Sequence, residues 1–201
     1  MSEERATVLG SFKFAARGVL DVAVAQRSMR VHLVAALLVA TFGSAVPLGV
    51  AEQLALLLAV FAVLGAEVMN SAVEEVVDLV AAGEDERARR AKDASAGAVL
   101  VLAVGALAVL AVVLIRDWDL VQSGRSAVGK VAAVGLPLVL LSAFLVFPFR
   151  RAEGVDLLAA MAGAALLLPM ALFSKSLVFT GLAALAFAMC AAAAFARRGG
   201  D

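Results

Sequence analysis

The sequence is poor in cysteine, in histidine and in charge. The one cysteine, Cys190, lies in an alanine-rich apolar segment, so a disulfide framework within the chain is excluded. The 17 Lys and Arg residues balance the 17 Asp and Glu residues, and we therefore expect no bulk attraction to nucleic acid. The N-terminus is polar and charged where a signal peptide carries its apolar core, so we expect no cleavable signal.

Apolar residues dominate instead. They make up 64% of the chain, only 17% of the residues are charged, and the mean hydropathy is +1.02. Six segments approach the roughly 20 apolar residues that a spanning helix needs. They are 31–50, 53–80, 94–115, 130–149, 155–173 and 176–196. The sequence therefore predicts an all-α integral membrane protein.

The residues before the first span have a different pattern. Apolar side chains recur there at helical spacing, while Lys13, Arg17 and Asp21 line another face. The apolar positions are Val8, Phe12, Ala15, Val19 and Val22. This pattern predicts an amphipathic surface helix over 3–30 that lies in the plane of the membrane interface.

The segment 116–129 reads as a linker, because it is polar and contains Gly and Ser. It separates residues 1–115, with three spans and every intramembrane acid, from residues 130–201, an accessory bundle of three spans with no indicated role. Clusters of Lys and Arg precede span one, separate spans two and three, separate spans four and five, and close the chain. The positive-inside rule places these clusters, and so both termini, in the cytoplasm.

One span carries a polar stripe. In "EVMNSAVEEVVDLV", a rotation of ~100° per residue places Glu67, Asn70, Glu74 and Asp78 on one narrow face, with Ser71 beside them. The predicted helix 53–80 is about 40 Å long and exceeds a hydrocarbon core of about 30 Å, so its cytoplasmic end should project. Ionisable groups inside a span indicate a functional site by default.

Basic groups follow the stripe closely. "GEDERARRAKD", residues 83–93, brings four cations to the same cytoplasmic surface. Carboxylates that can hold a divalent cation then stand beside groups that can hold phosphates, the usual partnership in nucleotide sites. The chain has no GxxxxGK[ST] loop, so any nucleotide site must be built differently.

Four ordered motifs carry a resemblance to a known family. They are "FKFAARG" at 12–18, "QRSMRVH" at 26–32, "EVMNSAVEEVVD" at 67–78 and "AKD" at 91–93. Over about residues 8–115 the chain resembles the bacterial diacylglycerol kinase and undecaprenol kinase family. The resemblance implies a kinase of the bacterial inner membrane that transfers the γ-phosphoryl group of ATP, with Mg²⁺, to a lipid alcohol, undecaprenol or diacylglycerol. It also implies a homotrimer.

The resemblance assigns roles residue by residue. It makes Glu67 the general base, Asn70 its catalytic neighbour, and Glu74 a metal ligand. Gln26 takes the place of a second metal-binding glutamate that the family usually has, and its amide contributes no charge. The expected nucleotide-binding residues are Phe14, Arg17, Glu84, Asp85, Lys92 and Asp93. The expected substrate-binding residues are Arg30 and Ser71.

Two other functions remain open from the sequence. The stripe could be a relay in an ion-coupled transporter or channel, or the chain could be a catalytically weakened structural member of the family. The outer half of the second span, 54–66, has no polar side chain, which favours the kinase over a relay. A fused lipid phosphatase would need histidines in the second half, whereas the lone histidine is His32. Its "RVH" setting resembles the undecaprenol kinase branch more than the diacylglycerol kinase branch, although a single histidine at a helix entrance is more often an interfacial anchor than a specificity group.

Overall fold

The computed structural model describes residues 8–81, 85–149 and 154–198. These residues form eight helices, six of which are long and apolar enough to cross a membrane. The helices are α1 (Val8–Ala25), α2 (Arg27–Ala45), α3 (Val50–Val80), α4 (Glu86–Arg116), α5 (Trp118–Ser123), α6 (Arg125–Val146), α7 (Val155–Phe173) and α8 (Leu177–Arg198). The predicted all-α membrane fold is confirmed.

The predicted boundary between a surface helix 3–30 and a first span 31–50 is wrong. Helix α1 ends at Ala25 and α2 begins at Arg27, with Gln26 in an extended conformation (φ −91°, ψ 126°) between them. The buried guanidinium of Arg30 donates hydrogen bonds to the last carbonyls of α1, those of Ala23, Val24 and Ala25. Because these carbonyls lack partners within their helix, Arg30 stabilises the break. Residues 3–7 lie outside the described residues, and the interfacial position of α1 stays a prediction.

Helix α4 begins earlier than the predicted span 94–115. Asp85 caps it by accepting a hydrogen bond from the backbone N–H of Arg87 at 2.6 Å. Arg89 then pairs with Glu86 and with Asp93, each at 2.7 Å, at the i, i+3 and i, i+4 spacings that stabilise a helix. Residues 86–93 of the basic segment 83–93 therefore form about two turns of helix.

The predicted linker 116–129 is also largely helical. It contains α5, and α6 begins at Arg125 instead of residue 130. Helix α6 stops at Val146, before the predicted residue 149, because Phe147 precedes Pro148 and takes an extended conformation (φ −84°, ψ 140°). In the same way Pro47 ends α2 at Ala45 instead of residue 50, because Val46 precedes it (φ −109°, ψ 135°).

Helix α3 carries the polar stripe out of the core. Its 31 residues span about 46 Å, more than the hydrocarbon core of a bilayer. Glu67 is 2% exposed and Asn70 is buried, whereas Asp78 near the end of the helix is exposed. The stripe therefore passes from a sealed environment to the charged end of the bundle, where α3 ends and α4 begins.

The second half packs directly on the first. Helix α2 lies against α8 and α6 on one side and against α3 on the other, and the buried side chains form one core. Small residues allow these helices to approach closely. A Cβ atom at Gly43 would overlap the ring of Phe179, and one at Gly135 would overlap Thr41. The division at 116–129 stays a prediction, but the two halves share one packed interior.

The Gly43 contact gives a stability test. We expect Gly43→Ala to lower the free energy of unfolding by about 1–3 kcal/mol, because the added methyl group must displace a buried ring. Gly181→Ala, on the same helix as Phe179, meets nothing within 4 Å and should be neutral or stabilising. Denaturant unfolding in detergent micelles measures both. Equal stability of the two variants would contradict close packing between the halves.

Candidate active site

Glu67 is held at both carboxylate oxygens by the start of α2. The Ser28 hydroxyl donates a hydrogen bond to Oε2 at 2.8 Å, and the Nε2 atom of His32 lies 3.1 Å from Oε1. Residues 28 and 32 are one helical turn apart, so both face α3. This contact fixes the direction in which the buried carboxylate points.

Glu74 lies two turns further along the same face and is half-buried. Its Oε1 accepts a hydrogen bond from Asn70 Nδ2 at 2.9 Å, and its Oε2 accepts one from Gln26 Nε2 at 3.1 Å. Ser95 of α4 donates to Asn70 Oδ1 at 2.7 Å. A chain of hydrogen bonds thus links Gln26, which lies between α1 and α2, to Ser95 of α4 by way of Glu74 and Asn70 of α3.

Gln26 reaches Glu74 because the chain breaks there. Gln26 is in an extended conformation, so its side chain does not follow the helical spacing of α1 or of α2. The Arg30 cap stabilises this break between the two helices. This structural role of Arg30 was missed from the sequence, although a basic side chain beside a helix end is a known signal for such a cap. The expected contact of Arg30 with substrate stays a prediction.

Glu74 and Gln26 fit a metal ion that arrives with a nucleotide. Among the described residues no group of three or more His, Cys, Asp or Glu side chains could hold a metal alone. Mg²⁺ in phosphoryl-transfer sites is usually bound by one or two carboxylates together with substrate phosphates. Glu74 supplies one carboxylate, and rotation of the Gln26 amide would turn its oxygen toward the same position.

An open cleft lies at the charged end of the bundle. Its volume is about 580 Å³, and Asp78, Asp85, Arg89 and Lys92 line it. Lys92 pairs with Asp78 across α3 and α4. Asp93 pairs with Arg89. Two of the expected nucleotide-binding residues, Asp85 and Lys92, thus line a space of ligand size, whereas Asp93 is not among the residues that line it.

The remaining predicted site residues lie in different parts of the structure. Phe14 and Arg17 lie on α1, which packs mainly against α8, so their binding of nucleotide stays a prediction. Glu84 lies outside the described residues. Ser71 is buried beside Asn70, and its hydroxyl has no hydrogen-bond partner among the residues that the structure describes. A buried hydroxyl without a partner is costly, which is consistent with a ligand contact.

Comparison with known proteins identifies the family. The family model for prokaryotic diacylglycerol kinase matches residues 13–114. The undecaprenol kinase of Bacillus subtilis (strain 168) is 37% identical over 94 residues, which cover 47% of this chain and 76% of that protein. The diacylglycerol kinase of Synechocystis sp. is 38% identical over 103 residues, which cover 51% of this chain and 59% of that protein.

No solved structure matches the chain. The side chains that contact Glu67 and Glu74 all lie inside the matched segment, as do the nucleotide candidates of α1 and α4. The names of the family and of both relatives support a lipid kinase. The chain belongs to the prokaryotic diacylglycerol kinase family.

Proposed function

We propose that this protein transfers the γ-phosphoryl group of ATP to the hydroxyl of a lipid alcohol, undecaprenol or diacylglycerol. The reaction takes place at the cytoplasmic face of the bacterial inner membrane, with both chain termini in the cytoplasm. The observation that carries the proposal is the hydrogen bond from a hydroxyl group to the sealed carboxylate of Glu67. At 2.8 Å, Ser28 Oγ has the separation that a general base needs from the alcohol it deprotonates.

The proposed step uses Glu67 as the proton acceptor. The alcohol proton moves to Oε2 of Glu67 as the alcohol oxygen bonds to the γ-phosphorus atom and the bond between that phosphorus and the β,γ-bridging oxygen breaks. ADP leaves with the bridging oxygen, and Glu67 then releases its proton. Mg²⁺ bound with ATP would neutralise phosphate charge, with Glu74 and Gln26 as its protein ligands. Lys92 adds a cation for the phosphates, and Asp85 and Asp93 border the nucleotide.

The depths of the two carboxylates suit these roles. Glu67 is buried within the bundle, so the hydroxyl of a membrane lipid would have to displace Ser28 Oγ to reach it, and Glu74 is half-buried nearer the charged cleft. Their Cα atoms are separated by seven residues, about 10 Å along the helix. Helical side chains lean toward the N-terminus, so both carboxylates are displaced in the same direction and their separation along the helix is kept. Mg²⁺ and the phosphate chain of ATP would therefore have to span that separation to bring the γ-phosphoryl group to an alcohol at Glu67.

A transport relay receives less support. Residues 54–66 form about 20 Å of apolar helix between Glu67 and the next acid, Glu52. Glu52 is buried near the other end of α3 and pairs with Arg116. A proton or cation would have to cross that interval without a polar side chain of α3. The interval favours a reaction confined to one face of the membrane.

We also propose that the working form is a homo-oligomer, a trimer by resemblance to the family. Helix α4 has few buried residues, and large apolar side chains such as Leu100, Val104 and Leu107 are exposed on it. These faces contact either lipid or further copies of the chain. Cross-linking in native membranes would count the copies, and a monomer as the active species would contradict the trimer.

The proposed metal site is tested by Gln26→Glu. The new carboxylate at residue 26 would lie beside the carboxylate of Glu74. The two would repel each other when no cation is bound, and together they would bind Mg²⁺ more strongly than a carboxylate and an amide do. We expect a lower Mg²⁺ concentration for half-maximal rate, and a lower melting temperature in EDTA than in Mg²⁺. Gln53→Glu, on α3 at the opposite end from Glu74, is the matched control. An unchanged Mg²⁺ dependence of Gln26→Glu would place Gln26 outside the metal site.

Glu67→Gln tests the base and the proposed function together. The amide keeps nearly the same shape but cannot accept the proton, so turnover should fall about 10²–10⁴-fold. Two controls also replace a carboxylate of α3 by an amide. They are Glu75→Gln, at an exposed position, and Glu52→Gln, which removes a buried acid far from the site. Both should keep most of the turnover, measured as phosphate transfer from labelled ATP in mixed micelles.

The same assay identifies the lipid. Undecaprenol and diacylglycerol are offered separately to the wild-type protein at equal mole fractions in the micelle. A kinase of either kind should phosphorylate one alcohol much faster than the other, and Glu67→Gln should slow that reaction by about 10²–10⁴-fold. If folded wild-type protein phosphorylates neither alcohol, the proposed function is wrong. Near-normal turnover by Glu67→Gln would instead remove Glu67 from the role of base.

A further inference from the structure

An open cavity lies at the end of the bundle opposite the charged cleft, where α2, α4 and α7 end and α3, α6 and α8 begin. Its volume is about 490 Å³, and α5, the start of α6 and the end of α7 supply most of its lining. It is called here the Lys130 cavity. Apart from Ala45 and Pro47, its lining lies outside the segment that matches the family, so the family match gives it no role.

Two lysines line this cavity without an acidic partner. Lys130 lies on α6 and Lys175 lies between α7 and α8, and both are exposed. Neither forms an ion pair with any residue that the structure describes, and the described lining contains no Asp or Glu. A buried acid at this end, Glu52, pairs instead with Arg116. Because two like charges around one cavity repel each other, an anion that contacts both would stabilise the pair.

The backbone around Lys175 is held from both sides. Its N–H group donates a hydrogen bond to the carbonyl oxygen of Ser44, near the end of α2, at 2.7 Å. Ser174 Oγ accepts a hydrogen bond from the N–H group of Ser176 at 3.0 Å. Ser176 Oγ in turn donates to Gln53 Oε1 of α3 at 2.9 Å. The short connection between α7 and α8 is therefore fixed, and it keeps Lys175 at the cavity.

Another part of the lining is apolar and exposed. Leu172 and Phe173, at the end of α7, are 73% and 42% exposed, so in a membrane they contact lipid. Trp118 of the neighbouring helix α5 is 53% exposed, and tryptophan is enriched at the interface between membrane and water. The cavity thus combines cations at the depth of lipid headgroups with apolar surface that acyl chains can contact.

We propose that the Lys130 cavity binds the phosphate group of an anionic phospholipid. Lys130 and Lys175 contact the phosphate oxygens, and the acyl chains lie against Leu172 and Phe173. Basic pockets between membrane helices recognise lipid headgroups in this way. A free phosphate ion carries the same charge, but a phospholipid is already at this depth and also matches the apolar part of the lining. With both termini in the cytoplasm, as proposed above, the lipid belongs to the outer leaflet.

Trp118 provides a test that does not depend on the kinase reaction. It is the one tryptophan of the chain and lies two residues before Leu120 of the lining, so quenching of its fluorescence reports lipid at the cavity. The full-length protein is reconstituted in phosphatidylcholine vesicles with brominated phosphatidylglycerol or, in parallel, brominated phosphatidylcholine. We expect half-maximal quenching at a mole fraction about 5- to 30-fold lower for phosphatidylglycerol, the effect of one or two cations near the membrane surface.

Three variants locate the binding site. Lys130→Gln and Lys175→Gln should each reduce the preference for phosphatidylglycerol about 5-fold, and the double variant should abolish it. Arg125→Gln removes a cation of the same helix that does not line the cavity, and this matched control should keep the preference. Quenching by brominated phosphatidylcholine should be the same in every variant, which reports that the surroundings of Trp118 are intact.

Equal quenching by the two lipids in the wild-type protein would overturn the proposal. So would a preference that survives in the double lysine variant, or one that is lost equally in Arg125→Gln. Sodium phosphate, exchanged for sodium chloride at constant ionic strength, separates the two sources of the anion. We expect it to leave the quenching by phosphatidylglycerol unchanged, whereas displacement at millimolar concentration would assign the cavity to soluble phosphate instead of a lipid.

Discussion

The contact between the start of α2 and the polar stripe of α3 is the constraint on which the site depends. Ser28 holds Glu67, and Gln26 holds Glu74 two turns further along. Both contacts require the chain to break at residue 26, and the Arg30 guanidinium stabilises that break by capping α1. A continuous helix from α1 into α2 would rotate these side chains away from α3. The cap is therefore a condition for the geometry of the site.

Placing Glu67 inside the bundle is energetically expensive, and the fold compensates for it locally. An acid at membrane depth needs hydrogen-bond or charge partners, and α2 provides a hydroxyl and an imidazole for its two oxygens. The second half contributes indirectly, because α6 and α8 pack against α2 and hold it beside α3. Residues outside the family match thus support the position of residues inside it. The second half of the chain therefore supports α2 in its position beside α3.

Some features of this structure could be predicted from the sequence and others could not, for physical reasons. The stripe from Glu67 to Asp78 was readable because a helical period repeats along one chain segment, and the spans were readable because membranes require long apolar runs. The break at Gln26 could not be predicted, because no Pro or Gly marks it and because its cap comes from Arg30, which lies beyond the break. The contacts of Ser28 and His32 with Glu67 are tertiary, so no local pattern predicts them. The early start of α4 was readable in principle from Asp85 and the paired charges after it.

We propose that two acids of the stripe have separate roles, with Glu74 as a metal ligand and Glu67 as the base. Electron paramagnetic resonance of Mn²⁺, added in place of Mg²⁺ together with ATP, measures metal binding without turnover. We expect Glu67→Gln to bind Mn²⁺ as tightly as the wild-type protein, and Glu74→Gln to bind it more weakly. Equal binding by all three proteins, or a loss confined to Glu67→Gln, would contradict that division.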